Sequence, residues 1–186
     1  MAKSTDQITV GANGTVFLAP KGTVAPVDIA TAWAAAWVDL GLTSEDGVTF
    51  TDAKTMEKIN VWQLFYAARW IVTERDAKAA FVLRQWSKDT VKAAFGGGTI
   101  TTTAGPPAHY LYTPPAPENI DENALGIEWK DGTKVYRLVI PRVTVTENVE
   151  TKLVRAAASD LPITVSAMGT DGAAPWTLRT NDPSFA

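Results

Sequence analysis

Few residues in this chain have types that do chemistry. It contains one histidine, His109, and no cysteine in 186 residues, which excludes disulfides, thiolate metal sites and cysteine nucleophiles. His109 sits in a proline-framed loop, AGPPAHYLYTPPAPENIDENA, where an exposed or stacked ring is expected. Without cysteine or an HExxH-like spacing, a zinc site there has too few ligands. The adjacent carboxylates Glu45/Asp46 and Asp121/Glu122 have the composition of a glycosidase acid and base, yet neighbouring loop carboxylates are ordinarily solvated charges. Gly96-Gly97-Gly98 lacks the Lys-Ser/Thr of a phosphate loop and follows a helical pattern instead of preceding one, so it reads as a helix stop that feeds a strand. Seven tryptophans offer the chemistry of a sugar-stacking platform, but most lie within apolar runs, which favours core packing. Asn13-Gly14-Thr15 fits the glycosylation pattern, but no basic start followed by an apolar run marks the chain for export. The reading is a non-enzyme with no metal and no cofactor.

A hydrophobic content of 46% with 9% aromatic residues supports a real core in a single domain, residues 1–186. Charges of both signs, 17 basic against 20 acidic for a net of -3, are interspersed without a block that would bind nucleic acid or a membrane. The longest stretch of small apolar residues, 30–38, is far short of the roughly 18 that a membrane span needs.

The element pattern centres on residues 65–98. Two runs, 65–74 and 77–86, read as strands joined by a charged turn at Arg75-Asp76. A short helix, about 87–95, follows. Ser87 is its cap, Asp89 suits its N-terminal pole and Gly96 ends it, with Val91, Ala94 and Phe95 on the packing side and Lys88, Asp89 and Lys92 toward solvent. Before this, 15–18 and 38–41 read as short strands. Between them Asp28 caps either a brief helix through Trp33 and Trp37 or an irregular segment with both rings packed. Residues 44–60 read as a projecting loop or hairpin, with strands 48–51 and 55–64 about a turn at Asp52-Ala53-Lys54. Downstream, strands are expected at 99–103, 109–112, 125–130, 133–146, 161–167 and 176–179. Asp131-Gly132 makes a hairpin turn, and Pro141 belongs at an edge or a bulge. Residues 1–14 form an N-terminal arm and 180–186 a C-terminal tail. The fold class is therefore mainly β, a β-sandwich or rolled barrel with one short flanking helix.

Taken together, WVDLGLTSEDGVTF (37–50), VWQL (61–64), LRQWSKDTVKAAFGGG (83–98), YRLVIPRVTVTE (136–147) and the closing DLPITVSA and PWTLRTNDPSF segments resemble the major tail, or tail tube, proteins of long-tailed, non-contractile bacteriophages. The nearest look is to those of phages infecting actinobacteria. The resemblance spans about residues 15–186 and lies in the ordered set of segments. It implies a ring-forming tail-tube fold in which six copies make a ring and rings stack into a tube. The inner wall would be a continuous β-barrel through which double-stranded DNA passes without sequence-specific contact. It further implies a virion protein assembled in the host cytoplasm with tape measure, tail terminator and tail-tip proteins as partners. In that setting Val48, Phe50, Met56 and Ile59 are candidate inter-subunit contacts, exposed in a lone subunit. Glu57, Glu74, Arg142, Thr144, Thr146, Glu147, Thr164 and Ser166 are candidate lumen positions, and a hexamer of -3 subunits would carry -18 per ring. Two alternatives stay open: the tube subunit of a contractile tail or secretion-type tube, and, from a different class, a carbohydrate-binding β-sandwich.

Overall fold

The computed structural model describes residues 5–169 and 172–185. Ten strands and one helix follow in chain order: β1 (Asn13–Pro20), β2 (Val38–Asp39), β3 (Thr43–Ile59), β4 (Arg69–Leu83), α1 (Lys88–Ala94), β5 (Thr99–Thr103), β6 (His109–Thr113), β7 (Asn123–Asp131), β8 (Lys134–Val145), β9 (Leu161–Ala167) and β10 (Thr177–Thr180). The strands of the main sheet run antiparallel in the order β2-β1-β7-β8-β9-β4-β3, with β10 also paired to β8. β5 and β6 form a separate two-stranded sheet.

The main sheet folds over itself at β8. Between Tyr136 and Val139 this strand pairs with β10 on one side and β7 on the other. From Val143 to Val145 it pairs with β9. The register against β7 slips between the two stretches, Leu125 facing Ile140 but Asn123 facing Val143. Pro141, which has no amide to give, therefore sits at a bulge, where strands commonly bend from one layer into another. The result is a β-sandwich, one layer β2-β1-β7-β8-β10 and the other β8-β9-β4-β3. Between the layers Val16, Phe81, Leu83, Leu125, Ile140, Val143, Leu161 and Ile163 are buried in one apolar cluster. The clean alternation of 161–167 survives: Leu161, Ile163 and Val165 are buried, and the residues between them half-buried.

α1 is capped as its sequence requires. The Ser87 side chain accepts the Thr90 amide, the Thr90 side chain accepts the Ser87 amide, and Gly96 follows with φ +69°. A helix of seven residues cannot hold itself in water. It presses Thr90, Ala93 and Ala94 into the protein. The expected face was Val91, Ala94 and Phe95; instead Phe95 turns outward to meet Tyr112 of β6, ring centroids 6.1 Å apart, because only small residues fit between helix and sheet.

The outer face of β1, β7 and β8 is covered by residues 21–37, which form no helix. Asp28 accepts the Thr31 amide at 2.6 Å, so the expected cap exists without the helix behind it, and of the two readings the irregular one holds. Trp33 stacks on Phe17 at 4.6 Å and meets Trp37 edge-on at 4.9 Å. Arg137 pins this cover from below. Its guanidinium donates to Glu128 and to the carbonyls of Asp28 and Thr31, each at 2.7 Å, and Glu128 also accepts from the Trp33 indole at 2.9 Å. The tail is tied down as well: buried Asp182 accepts from the Tyr136 hydroxyl, and Asn181 accepts from the Val135 amide at 2.7 Å.

The largest departures from expectation lie in β3 and β4. Neither Asp52-Ala53-Lys54 nor Arg75-Asp76 turns the chain; both lie within long continuous strands that pair with each other from Thr43/Leu83 to Ile59/Arg69. The charges that look like turn signals are cross-strand partners, Arg75 donating to Asp52 at 2.8 Å. β9 covers β4 only from Lys78 to Leu83. Beyond that the two strands run on as a ribbon whose residues are mostly exposed. Residues 60–68, expected as strand ends, form its connecting loop, closed by the Ala68 amide on the Ile59 carbonyl at 2.9 Å.

Two predictions follow from this packing. A Cβ on Gly126 would lie 2.5 Å from Cη2 of Trp33, a ring held between Phe17 and Trp37, so Gly126→Ala should cost about 1–3 kcal/mol. A lower denaturant midpoint with an unchanged slope would show it. At the bulge, Arg142 grips Glu122 through two bonds, 2.6 and 2.9 Å, with Lys21 alongside. Hydrogen bonds from Arg142 and then Lys21 pull the Glu122 carboxyl from 4.5 to about 2. A lowered folded-state pKa gives stability that is present above the unfolded value and lost as pH falls through the folded one. The midpoint difference between parent and Glu122→Gln should thus be constant above about pH 5 and shrink between 4.5 and about 2.

Candidate functional site

The carboxylate pairs do not make an acid–base couple. Glu122 is locked in its ion pairs with a depressed pKa, the opposite of what a general acid needs near neutrality. Asp121 accepts from the Asn123 side-chain amide at 2.8 Å, and Glu45 and Asp46 are exposed on β3. His109 is exposed on β6. Among the described residues no three His, Cys, Asp or Glu side chains are placed to hold a metal, and no helix is long and apolar enough to cross a membrane. Gly96-Gly97-Gly98 leads from α1 into β5 with positive φ at all three residues.

The tryptophans divide in two. Trp33, Trp37, Trp129 and Trp176 are packed, Trp129 on Tyr136 at 5.3 Å and Trp176 on Phe50 at 5.2 Å. Trp62, Trp70 and Trp86 are exposed, Trp62 at 98%, against the expectation of core packing.

What the fold does assemble is a face. In the β8-β9-β4-β3 layer, Ala79, Phe81, Leu83, Ile163 and Val165 point into the core, so the residues alternating with them point away. Register sets Thr144 beside Ser166, Ser166 beside Lys78, Lys78 beside Thr51, and likewise Thr164 beside Ala80 and Ala80 beside Thr49. The Thr146 and Ser166 hydroxyls are 2.9 Å apart. Along the ribbon the same alternation carries Asp76, Glu74, Thr55 and, past the irregularity at Thr73, Glu57.

Six of the expected lumen residues, Glu57, Glu74, Thr144, Thr146, Thr164 and Ser166, therefore share one face. Arg142 is drawn aside to Glu122 and the Gly169 carbonyl, and Glu147 is exposed just beyond β8. Sequence reading missed Thr49, Thr51, Thr55 and Lys78, although Thr49, Thr51, Ala53, Thr55 and Glu57 recur at every second position. The false turn at Asp52-Ala53-Lys54 broke that period. The face is neutral to acidic: Lys78 pairs with Asp76 at 3.2 Å, leaving Glu74 and Glu57 toward the ribbon's tip.

The candidate contact residues separate. Met56 and Ile59 are exposed on the ribbon at 46% and 43%. Val48 and Phe50 are half-buried against their own core, not exposed, because β3 is still part of the sandwich where they lie. They border an open cleft of about 650 Å³ between the layers, lined also by Val16, Trp129, Leu138 and Trp176.

A polar sheet face, an edge strand of 17 residues and an apolar ribbon tip are features of a part made to be assembled. No curated protein matches the sequence. A family model described as phage tail tube protein matches residues 1–186, and the chain belongs to that family.

Proposed function

We propose that this tail tube protein forms hexameric rings that stack into the tube of a long, non-contractile phage tail, and that genomic DNA passes through the bore. On the same reading its affinity lies with the tail tube proteins of phages infecting actinobacteria. Assembly takes place in the host cytoplasm, with tape measure, terminator and tail-tip proteins setting length and ends. The observation that carries this reading is the hydroxyl-rich face of β8, β9, β4 and β3, which runs up to the edge strand β3. Such an edge, unpaired in the lone subunit among the described residues, is completed when a neighbour's strand closes the sheet.

Four strands from each of six copies exceed the roughly 16–18 strands at which membrane barrels already enclose water. The bore would be lined by Thr144, Thr146, Thr164 and Ser166, with Glu57 and Glu74 farther along the ribbon. Short hydroxyls and paired cations give duplex DNA no phosphate anchors, and the net negative charge holds it off the wall. Arg142 and Glu147 flank this lining. Between subunits, Met56 and Ile59 contact a neighbour, and Val48 and Phe50 contribute through the cleft that they border.

The absence of native cysteine makes single-thiol tests clean. Ser166→Cys should react with a bulky PEG-maleimide in the free subunit and be protected in assembled tubes, while a small maleimide reaches it in both. Equal labelling of tubes and subunits by the bulky reagent would take Ser166 out of the bore. Met56→Asp and Ile59→Asp, at exposed positions, should fold with the parent's denaturation midpoint yet form no tubes by negative-stain microscopy. Normal tubes from both would remove these residues from the contact.

A further inference from the structure

The loop at the end of the β3–β4 ribbon carries an unusual load. Residues 61–66 read VWQLFY, with Trp62 98%, Phe65 107% and Tyr66 87% exposed, and Val61 and Leu64 also open to solvent. Three such rings have about 150–250 Å² each to bury, most of the roughly 800 Å² that one partner of a stable interface contributes. Elsewhere in the molecule the cleft of about 650 Å³ presents Val16, Val48, Phe50, Trp129, Leu138 and Trp176 without a covering segment among the described residues. One surface is an apolar plug and the other an apolar socket.

We infer that the aromatic tip of the ribbon seats in the cleft of a second copy of this chain. The tip cannot reach its own cleft. Phe50 borders the cleft and Ile59 precedes the tip on the same paired strand, and the nine residues from one to the other span about 30 Å at the roughly 3.3 Å rise of a strand. Charge fits the same pairing: Lys58 and Arg69 flank the tip, while Glu45 stands in the cleft's lining. Cation meets carboxylate as aromatic meets aromatic.

Because plug and socket are different surfaces, the contact is heterologous, and each copy that donates a tip still offers an empty cleft. Unless two copies exchange tips reciprocally, repetition yields a ring or an unbounded stack. This inference rests on the tube-forming function proposed above and names which two surfaces of the subunits meet.

The test uses full-length protein. A Trp62→Asp/Phe65→Asp double variant changes only exposed side chains and should keep the parent's denaturation midpoint while forming no tubes. Phe65→Cys co-assembled with Ala12→Cys, at the cleft lining, should give disulfide-linked dimers on mild oxidation, whereas neither variant alone should. Tubes that form without that cross-link, or a double variant that polymerises like the parent, overturn the inference and leave the cleft to another occupant. If the parent forms no tubes at all, the proposed function fails first, and the pairing of tip with cleft fails with it. Tubes that protect Ser166 but yield no cross-link sink the pairing alone.

Discussion

A proline gives a sheet no amide, and Pro141 stands in the strand that both layers of this sandwich share. At that point the ladder to β7 slips by one residue, and the other edge of β8 changes partner from β10 to β9. The bend this allows is what turns one continuous antiparallel sheet into two facing layers with an apolar interior. The bulge is held by charge as well as by backbone geometry. Arg142 reaches Glu122 just ahead of β7 and the Gly169 carbonyl just past β9, so the elements that meet at the fold line are fastened by one guanidinium.

From that bend follows the division of labour between surfaces. The layer β1-β7-β8 has its outer face covered by residues 21–37, with Trp33 and Trp37 packed over Gly126 and Val139. Strand β8 is accordingly buried on both faces from Tyr136 to Ile140. The layer β9-β4-β3 has no such cover on its outer side among the described residues, and its sequence alternates as a one-sided sheet should. Burial of Arg137 with Glu128 belongs to the first layer; the hydroxyl ladder belongs to the second. A buried ion pair is weak evidence of stability in itself. Here it has a positional role, because the same guanidinium holds the carbonyls of Asp28 and Thr31 and so fixes a segment that has no regular structure of its own.

Much of this could be read from residues. The helix ends at Ser87 and Gly96, the Asp131-Gly132 hairpin, the bulge at Pro141 and the alternation of 161–167 rest on local stereochemistry, and local stereochemistry is written in sequence. The ribbon was not legible for the converse reason. Asp52, Lys54, Arg75 and Asp76 carry turn-like composition, but in a two-stranded ribbon wet on both faces charges cost nothing and pair across the strands. Conversely VWQLFY has strand-like composition yet forms a loop, because it joins β3 to β4 at the ribbon's end, where its side chains stand open to solvent. The polar face was half visible: Thr144, Thr164 and Ser166 lie on strands whose period is clear, while Thr49, Thr51 and Thr55 were hidden behind the false turn. The direction of Phe95, away from the sheet, depends on how little room α1 has, and no periodicity reports that.

An exposed edge beside an aromatic tip is a hazard unless it discriminates among partners, and the ribbon's composition shows how it does so. Its edge strand β3 places Asp52, Lys54, Glu57 and Lys58 within a few residues, alternating in sign, so an indifferent strand pairing there in arbitrary register meets like charge as often as opposite charge. The irregularity at Thr73, whose hydroxyl donates to the Thr55 carbonyl at 3.2 Å, further interrupts the flat template that an aggregating strand needs. Apolar attraction is concentrated instead at residues 61–66, where loop geometry offers no continuous ladder to extend. Backbone pairing without side-chain fit and side-chain burial without backbone pairing are each weak alone. Only a copy that presents both complementary surfaces at the ribbon's spacing collects both contributions, which is the energetic condition for ordered growth to outrun aggregation.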